Sequence, residues 1–203
     1  LTSISVDPAN TTFHSDGNCI IETATNTVVA GCKNSVIPDY VTSIGYYAFA
    51  GVNMESIEIP ESVVEIQWGA FQDCKSLRSI HIPKNVMYLG DNILGGCSAL
   101  ETITVDEANE TFFSIDNCLM EGGLLIAGCK GSIIPSGVVK LGDHAFSGCS
   151  EMESIDLPNS LREIGERVFE HCTSLKTINF NDTSSLLIYR LGGTQAKTPR
   201  IRK

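Results

Sequence analysis

The sequence predicts a repeat solenoid, right-handed, with a parallel concave β-sheet, short irregular or helical convex segments and two inserted β-hairpins. Three observations predict it. An apolar hexapeptide returns at a spacing of 23 residues, a second apolar motif follows it in phase, and two longer stretches resemble each other, one in each half of the chain.

The hexapeptide opens the chain as Leu1-Thr2-Ser3-Ile4-Ser5-Val6. It returns at 54–59, 77–82 and 100–105, these three starting 23 residues apart, and again at 152–157 and 175–180, also 23 apart. Six strands are predicted. Apolar residues hold the first, fourth and sixth places, so alternation sends the fourth and sixth inward and the third and fifth outward. Proline follows some copies (Pro60, Pro83, Pro158), where the missing N–H stops the strand and the chain turns away.

The second motif runs from Val41, Ile44 and Gly45 to Ala48-Phe49. It recurs as Val63 and Ile66 to Ala70-Phe71, as Val138, Leu141 and Gly142 to Ala145-Phe146, and as Leu161, Ile164 and Gly165 to Phe169. The glycine is expected to adopt a conformation closed to other residues, and the aromatic to pack under the next coil. The look-alike stretches, 7–33 and 106–130, each hold two apolar runs: Cys19-Ile20-Ile21 before Val28-Val29-Ala30, and Cys118-Leu119-Met120 before Leu124-Leu125-Ile126-Ala127. Each pair reads as a hairpin that bulges from the solenoid. The solenoid is placed over 1–182, duplicated as about 1–100 and 101–182, with a C-terminal cap and basic tail over 183–203 that is either native or foreign to the array.

Taken together, these motifs resemble the BspA-like class of leucine-rich repeats. Residues 63–74 followed by 77–83 match its unit, Leu-x-x-Ile-x-Ile-Pro-x-x-Val-x-x-Ile-Gly-x-x-Ala-Phe-x-x-Cys, and the likeness covers 1 to about 182. Gly51-Val52 lacks the cysteine, Asn92-Ile93-Leu94 lacks the Ala-Phe pair, and the pattern stops after Phe180. The resemblance implies a leucine-rich-repeat solenoid on a secreted or cell-surface bacterial protein, with adhesion or recognition of proteins or cells as its role.

Composition bounds the function classes. A chain of 203 residues, 42% hydrophobic and 19% charged, can bury a full core. No apolar run approaches the roughly 18 residues of a membrane span, so no membrane insertion is expected in this segment. With 24 acidic and 14 basic residues, the net charge of -10 opposes binding to nucleic acid.

Cys74, Cys97, Cys149 and Cys172 each stand three residues after the Phe or Leu of their coil, where another coil carries Val52. That substitution favours buried free thiols over metal ligands. Cys19 with Cys32 and Cys118 with Cys129 bracket the hairpins and are the better disulfide candidates, although their apolar runs favour thiols there too. Ser79, His81 and Glu58 stand near one another on adjacent coils, but side chains on a flat sheet do not converge as a triad must, so no enzyme activity is expected. His14, His144 and His171 lack metal-site spacing, and neither metal nor cofactor is expected. Asn10, Asn109 and Asn181 begin glycosylation sequons, a short pattern that often occurs by chance.

The candidate ligand-binding residues are the outward places of the strands: Ser56, Glu58, Ser79, His81, Thr102, Thr104, Ser154, Asp156, Thr177 and Asn179. They are expected to form two columns on the concave sheet, binding an unidentified protein or glycan. A structural spacer array is the alternative reading. The sequence leaves oligomeric state open.

Overall fold

The computed structural model describes residues 1–180, with the backbone of two further strands at Leu187–Ile188 and Arg200–Arg202. The cap and basic tail expected over 183–203 otherwise lie outside the described residues.

The chain opens with an antiparallel meander of β1 (Phe13–Asp16), β2 (Cys19–Glu22) and β3 (Thr27–Ala30). Its first turn is Gly17-Asn18, with both residues at positive φ (53° and 56°), as a two-residue turn between twisted strands demands. From β3 a parallel ladder of short strands runs through β4 (Ser43–Ile44) and β5 (Glu65–Ile66). On another face of the coils, β6 (Ser79–Ile82) is the first of the longer strands. The short ladder ends at β7 (Tyr88–Leu89), and β6 pairs in parallel with β8 (Thr102–Val105).

A second meander then repeats the first: β9 (Phe113–Ile115), β10 (Cys118–Glu121) and β11 (Leu124–Ala127). Its turn is Asp116-Asn117, again with both φ positive (49° and 60°). The short ladder resumes from β11 with β12 (Lys140–Leu141), the long one with β13 (Ser154–Leu157). They continue through β14 (Glu163–Ile164) and β15 (Thr177–Phe180) to the backbones of β16 (Leu187–Ile188) and β17 (Arg200–Arg202).

The pattern of each coil follows from its residues. The carbonyl of Pro38, Pro60, Pro83, Pro135 or Pro158 accepts the amide three residues on, and this turn carries the chain from the long-strand face to the short strand. The following glycine supplies space, not an unusual φ as expected: Gly45, Gly90, Gly142 and Gly165 do not have positive φ. A Cβ on Gly90 would lie 2.4 Å from the Trp68 amide nitrogen of the coil before it. The Ala-Phe turn then needs two left-handed residues, such as His144 (φ 58°) and Gly148 (φ 81°) in one coil, and no helix occurs among the described residues. The phenylalanines stack from coil to coil, with centroids 5.5 Å apart for Phe49 and Phe71 and 5.9 Å for Phe146 and Phe169. The coil lacking Ala-Phe keeps the same course, because Ile93 and Leu94 are buried in its place.

Two expectations change. Residues 3–6 and 56–59 follow the repeat but form no strand. Each stands at an edge: the Leu1 carbonyl and the Val6 amide bond only to the meander coil, and 55–59 meets its neighbour only through Arg78 N–H to Glu55 O, 2.9 Å. The meanders, for their part, are built into the ladder, since β3 and β11 pair in parallel with the short strands that follow them.

The second meander also divides the interior. Asn117 at its turn reaches the long-strand face, accepting from the Ile103 amide at 3.5 Å and, through its carbonyl, from Ser132 Oγ at 2.7 Å. From there β10 passes through the core to meet β11 in the short-strand ladder. Cys118, Leu119 and Met120 are consecutive and all buried. Leu119 packs with the core of the first half, while Cys118 and Met120 pack with that of the second. Alternation along one strand thus builds a septum between two hydrophobic compartments.

Candidate functional site

The long-strand face carries the outward residues singled out above. In β6, β8 and β13 the inward isoleucines are buried, while Ser79, His81, Thr102, Thr104, Ser154 and Asp156 are exposed. Ser56 and Glu58 are exposed on the edge segment, and Thr177 and Asn179 are half-buried on β15. Register sets Ser79 beside Thr102 and His81 beside Thr104, then Ser154 beside Thr177 and Asp156 beside Asn179. The two columns are therefore real within each half and broken between halves. The Asp116-Asn117 turn and the segment that carries Ile133 stand between β8 and β13, and Ile133 is 69% exposed on that stretch.

The fifth-place residues bond one another along the ladder. His81 Nδ1 lies 3.0 Å from Thr104 Oγ1, and Asn179 Nδ2 donates to Asp156 Oδ1 at 2.6 Å. The imidazole thus engages the next coil; among the described residues it makes no hydrogen bond with Ser79 or Glu58. The third-place hydroxyls of Ser79, Thr102 and Ser154 make no side-chain hydrogen bond among the described residues, which leaves a row of exposed donor-acceptors.

A further row went unread in the sequence. The second place of the last five copies reads Glu55, Arg78, Glu101, Glu153 and Lys176. Arg78 meets Glu101 at 3.6 Å, and Lys130 of the meander coil bridges Glu101 and Glu151 at 3.2 Å each, while Lys176 meets Glu153 at 3.0 Å. Hydrogen bonds to Glu151 and Glu101 hold the Lys130 ammonium above its usual range. The pairs are exposed and contribute little to stability, but they border the columns with fixed alternating charge. The signal was the charge alternation at one repeat position.

The eight cysteines are free and buried. Cys74, Cys97 and Cys172 donate their S–H to the Phe49, Phe71 and Phe146 carbonyls of the preceding coil at 3.0, 3.1 and 3.1 Å. Cys149 and Val52 both follow a meander coil, which has no phenylalanine turn; Cys149 finds only the Gly128 carbonyl at 3.9 Å. Valine therefore stands where a thiol has no close acceptor. Burial pushes Cys118 and Cys172 up from 9.0 to about 12. Among the described residues no group of three or more His, Cys, Asp or Glu could hold a metal ion, and no helix is long and apolar enough to cross a membrane.

The sequence matches the BspA-type leucine-rich-repeat region in six copies over residues 26–120 and 128–189, a match that reaches past Phe180 to include β16. The fold is similar to that of a leucine-rich cell-surface protein from Faecalibacterium prausnitzii, 29% identical with a TM-score of 0.62 over 76% of this chain. The pneumococcal vaccine antigen PcpA, 17% identical with a TM-score of 0.57 over 93% of the chain, shares the fold. The chain spans 48% of the first of these proteins and 64% of the second. No curated protein matches it. With the repeat matched over most of its length, the chain belongs to the BspA-type leucine-rich-repeat family.

Proposed function

We propose that this chain is a non-catalytic recognition module of an extracellular or cell-surface protein, binding a protein or glycan through its long-strand face. The observation that carries the reading is the pair of exposed hydroxyls of Ser79 and Thr102, set side by side by the register of β6 and β8, with Ser154 exposed at the same repeat place in the second half. Hydroxyls in register, bordered by fixed charges, offer a partner both donors and acceptors at strand spacing. Repeat proteins gain an extended binding surface from such stacking. Affinity does not follow from area, so the reading concerns location and chemistry.

A structural spacer is the second reading. It is favoured by the mutual bonding of His81 with Thr104 and Asp156 with Asn179, and by the break in the columns at the second meander. The purified chain, screened against immobilised extracellular-matrix proteins and glycans, separates the two. The recognition reading expects a saturable interaction that the Ser79→Arg/His81→Glu double variant abolishes. Interactions indifferent to that variant, or none at all, would sink it and favour the spacer.

A further inference from the structure

On the turn face, the second meander leaves its mark as a cleft of about 280 Å³. The meander coil has no Ala-Phe turn, so the turns on either side of it stack directly on each other: Gly96 N–H donates to Ser147 O at 2.9 Å. Gly95 and Gly96 occupy places filled by Gln72-Asp73 in the coil before and by Glu170-His171 two turns beyond. Two missing side chains form the floor, and the larger ones the walls.

One wall is aromatic. Tyr47 and Trp68 meet edge to face with centroids 4.8 Å apart. The remaining lining is polar and largely planar. His144 Nδ1 lies 3.6 Å from Glu170 Oε2, with both side chains mostly buried, and Arg167 and Asp73 line the rim. Asn92, only 6% exposed, donates its amide to Gln72 Oε1 at 3.0 Å, and its own oxygen has no partner among the described residues. That oxygen is itself buried, packed against Gly95, where an added Cβ would lie 1.9 Å from it.

We propose that this cleft binds one pyranose ring of a neutral sugar. An aromatic wall suits the C–H face of such a ring, and planar amide, carboxylate and guanidinium groups suit neighbouring hydroxyls that both donate and accept. Volume limits the occupant to about one ring, just below the roughly 300–1,000 Å³ of small-molecule sites. Charge disfavours an acidic sugar: Asp73 and Glu170 share the lining with the single cationic side chain of Arg167, in a chain of net charge -10. The cleft is distinct from the long-strand face and does not depend on its role.

Trp68 is the chain's single tryptophan, so its emission reports on this cleft alone. The full chain is titrated with glucose, galactose, mannose, N-acetylglucosamine and, as the anionic arm, sialic acid. Ligand-observed saturation-transfer NMR on the same mixtures covers binding without an emission change. Expected is a saturable response to at least one neutral sugar, weakened roughly tenfold by Asp73→Ala or Arg167→Ala and untouched by Ser79→Arg/His81→Glu. Both cleft variants lie at exposed residues, and their melting curves check that they fold. Silence from all four neutral sugars in both measurements overturns the proposal. A response to sialic acid alone, or one indifferent to both cleft variants, does so equally.

Discussion

A thiol in this protein is a hydrogen-bond donor before it is a filler. Cys97 and Cys172 each give a proton to a phenylalanine carbonyl, which already accepts a turn amide and gains a second donor. Replacing either by valine is expected to cost about 1 kcal/mol in urea denaturation, the net worth of a modest hydrogen bond. Cys149→Val, at the position equivalent to Val52, should cost no more than a few tenths by the same scale. Equal losses at all three positions would show that volume alone decides. Titration gives a second expectation. Cys118 and Cys172 stay protonated up to about 12 when folded, whereas the unfolded chain ionises near the ordinary 9.0, so the folded state holds more protons between those values. Stability is full below 9.0 and falls as pH rises through that window, by about 1.4 kcal/mol per pH unit for each such thiol. Melting curves from pH 8 upward check the sign. The cysteine column itself was legible in the sequence, because it repeats; its acceptors were not, because they belong to the neighbouring coil.

Among the elements, the meander is where sequence reading ran out. Its second and third strands stood out as apolar runs, whereas β1 and β9 hid in mixed stretches beside His14 and Ser114. The Gly17-Asn18 and Asp116-Asn117 pairs were the available signal, since residues tolerant of positive φ between short runs mark a two-residue turn. The short strands Ser43–Ile44 and Glu65–Ile66 were visible only as an apolar motif, because two residues carry no period. That Leu119 faces one core and Met120 another could not be read at all: three consecutive apolar residues look like any buried strand. Leu119→Ala is expected to cost about 3 kcal/mol, against about 1 for Ile20→Ala at the equivalent half-buried place in the first meander. If the septum couples the halves, the Leu119 variant should also broaden the denaturation curve or split it in two.

For the whole molecule, period and phase made the stacking legible, and the skip in the turn ladder did not. Gly96 and Gly148 close that skip. A Cβ on Gly148 would lie 2.4 Å from the Gly96 Cα, and its φ of 81° already penalises any side chain. Gly148→Ala is therefore expected to destabilise by at least about 3 kcal/mol, combining a backbone clash with a left-handed alanine. Gly51→Ala, at a φ of 70° with nothing within 4 Å, isolates the conformational part, about 1–2 kcal/mol. Thermal melts of the pair separate clash from conformation.

The septum has a mechanical consequence. Drawn out by its ends, a stack of parallel coils peels one at a time, each 23-residue coil releasing about 80 Å of slack. A strand wedged through the stack, with side chains gripping both sides, stops that peeling halfway along. A tether made of such units yields under tension in bursts, surrendering one half while the other still holds.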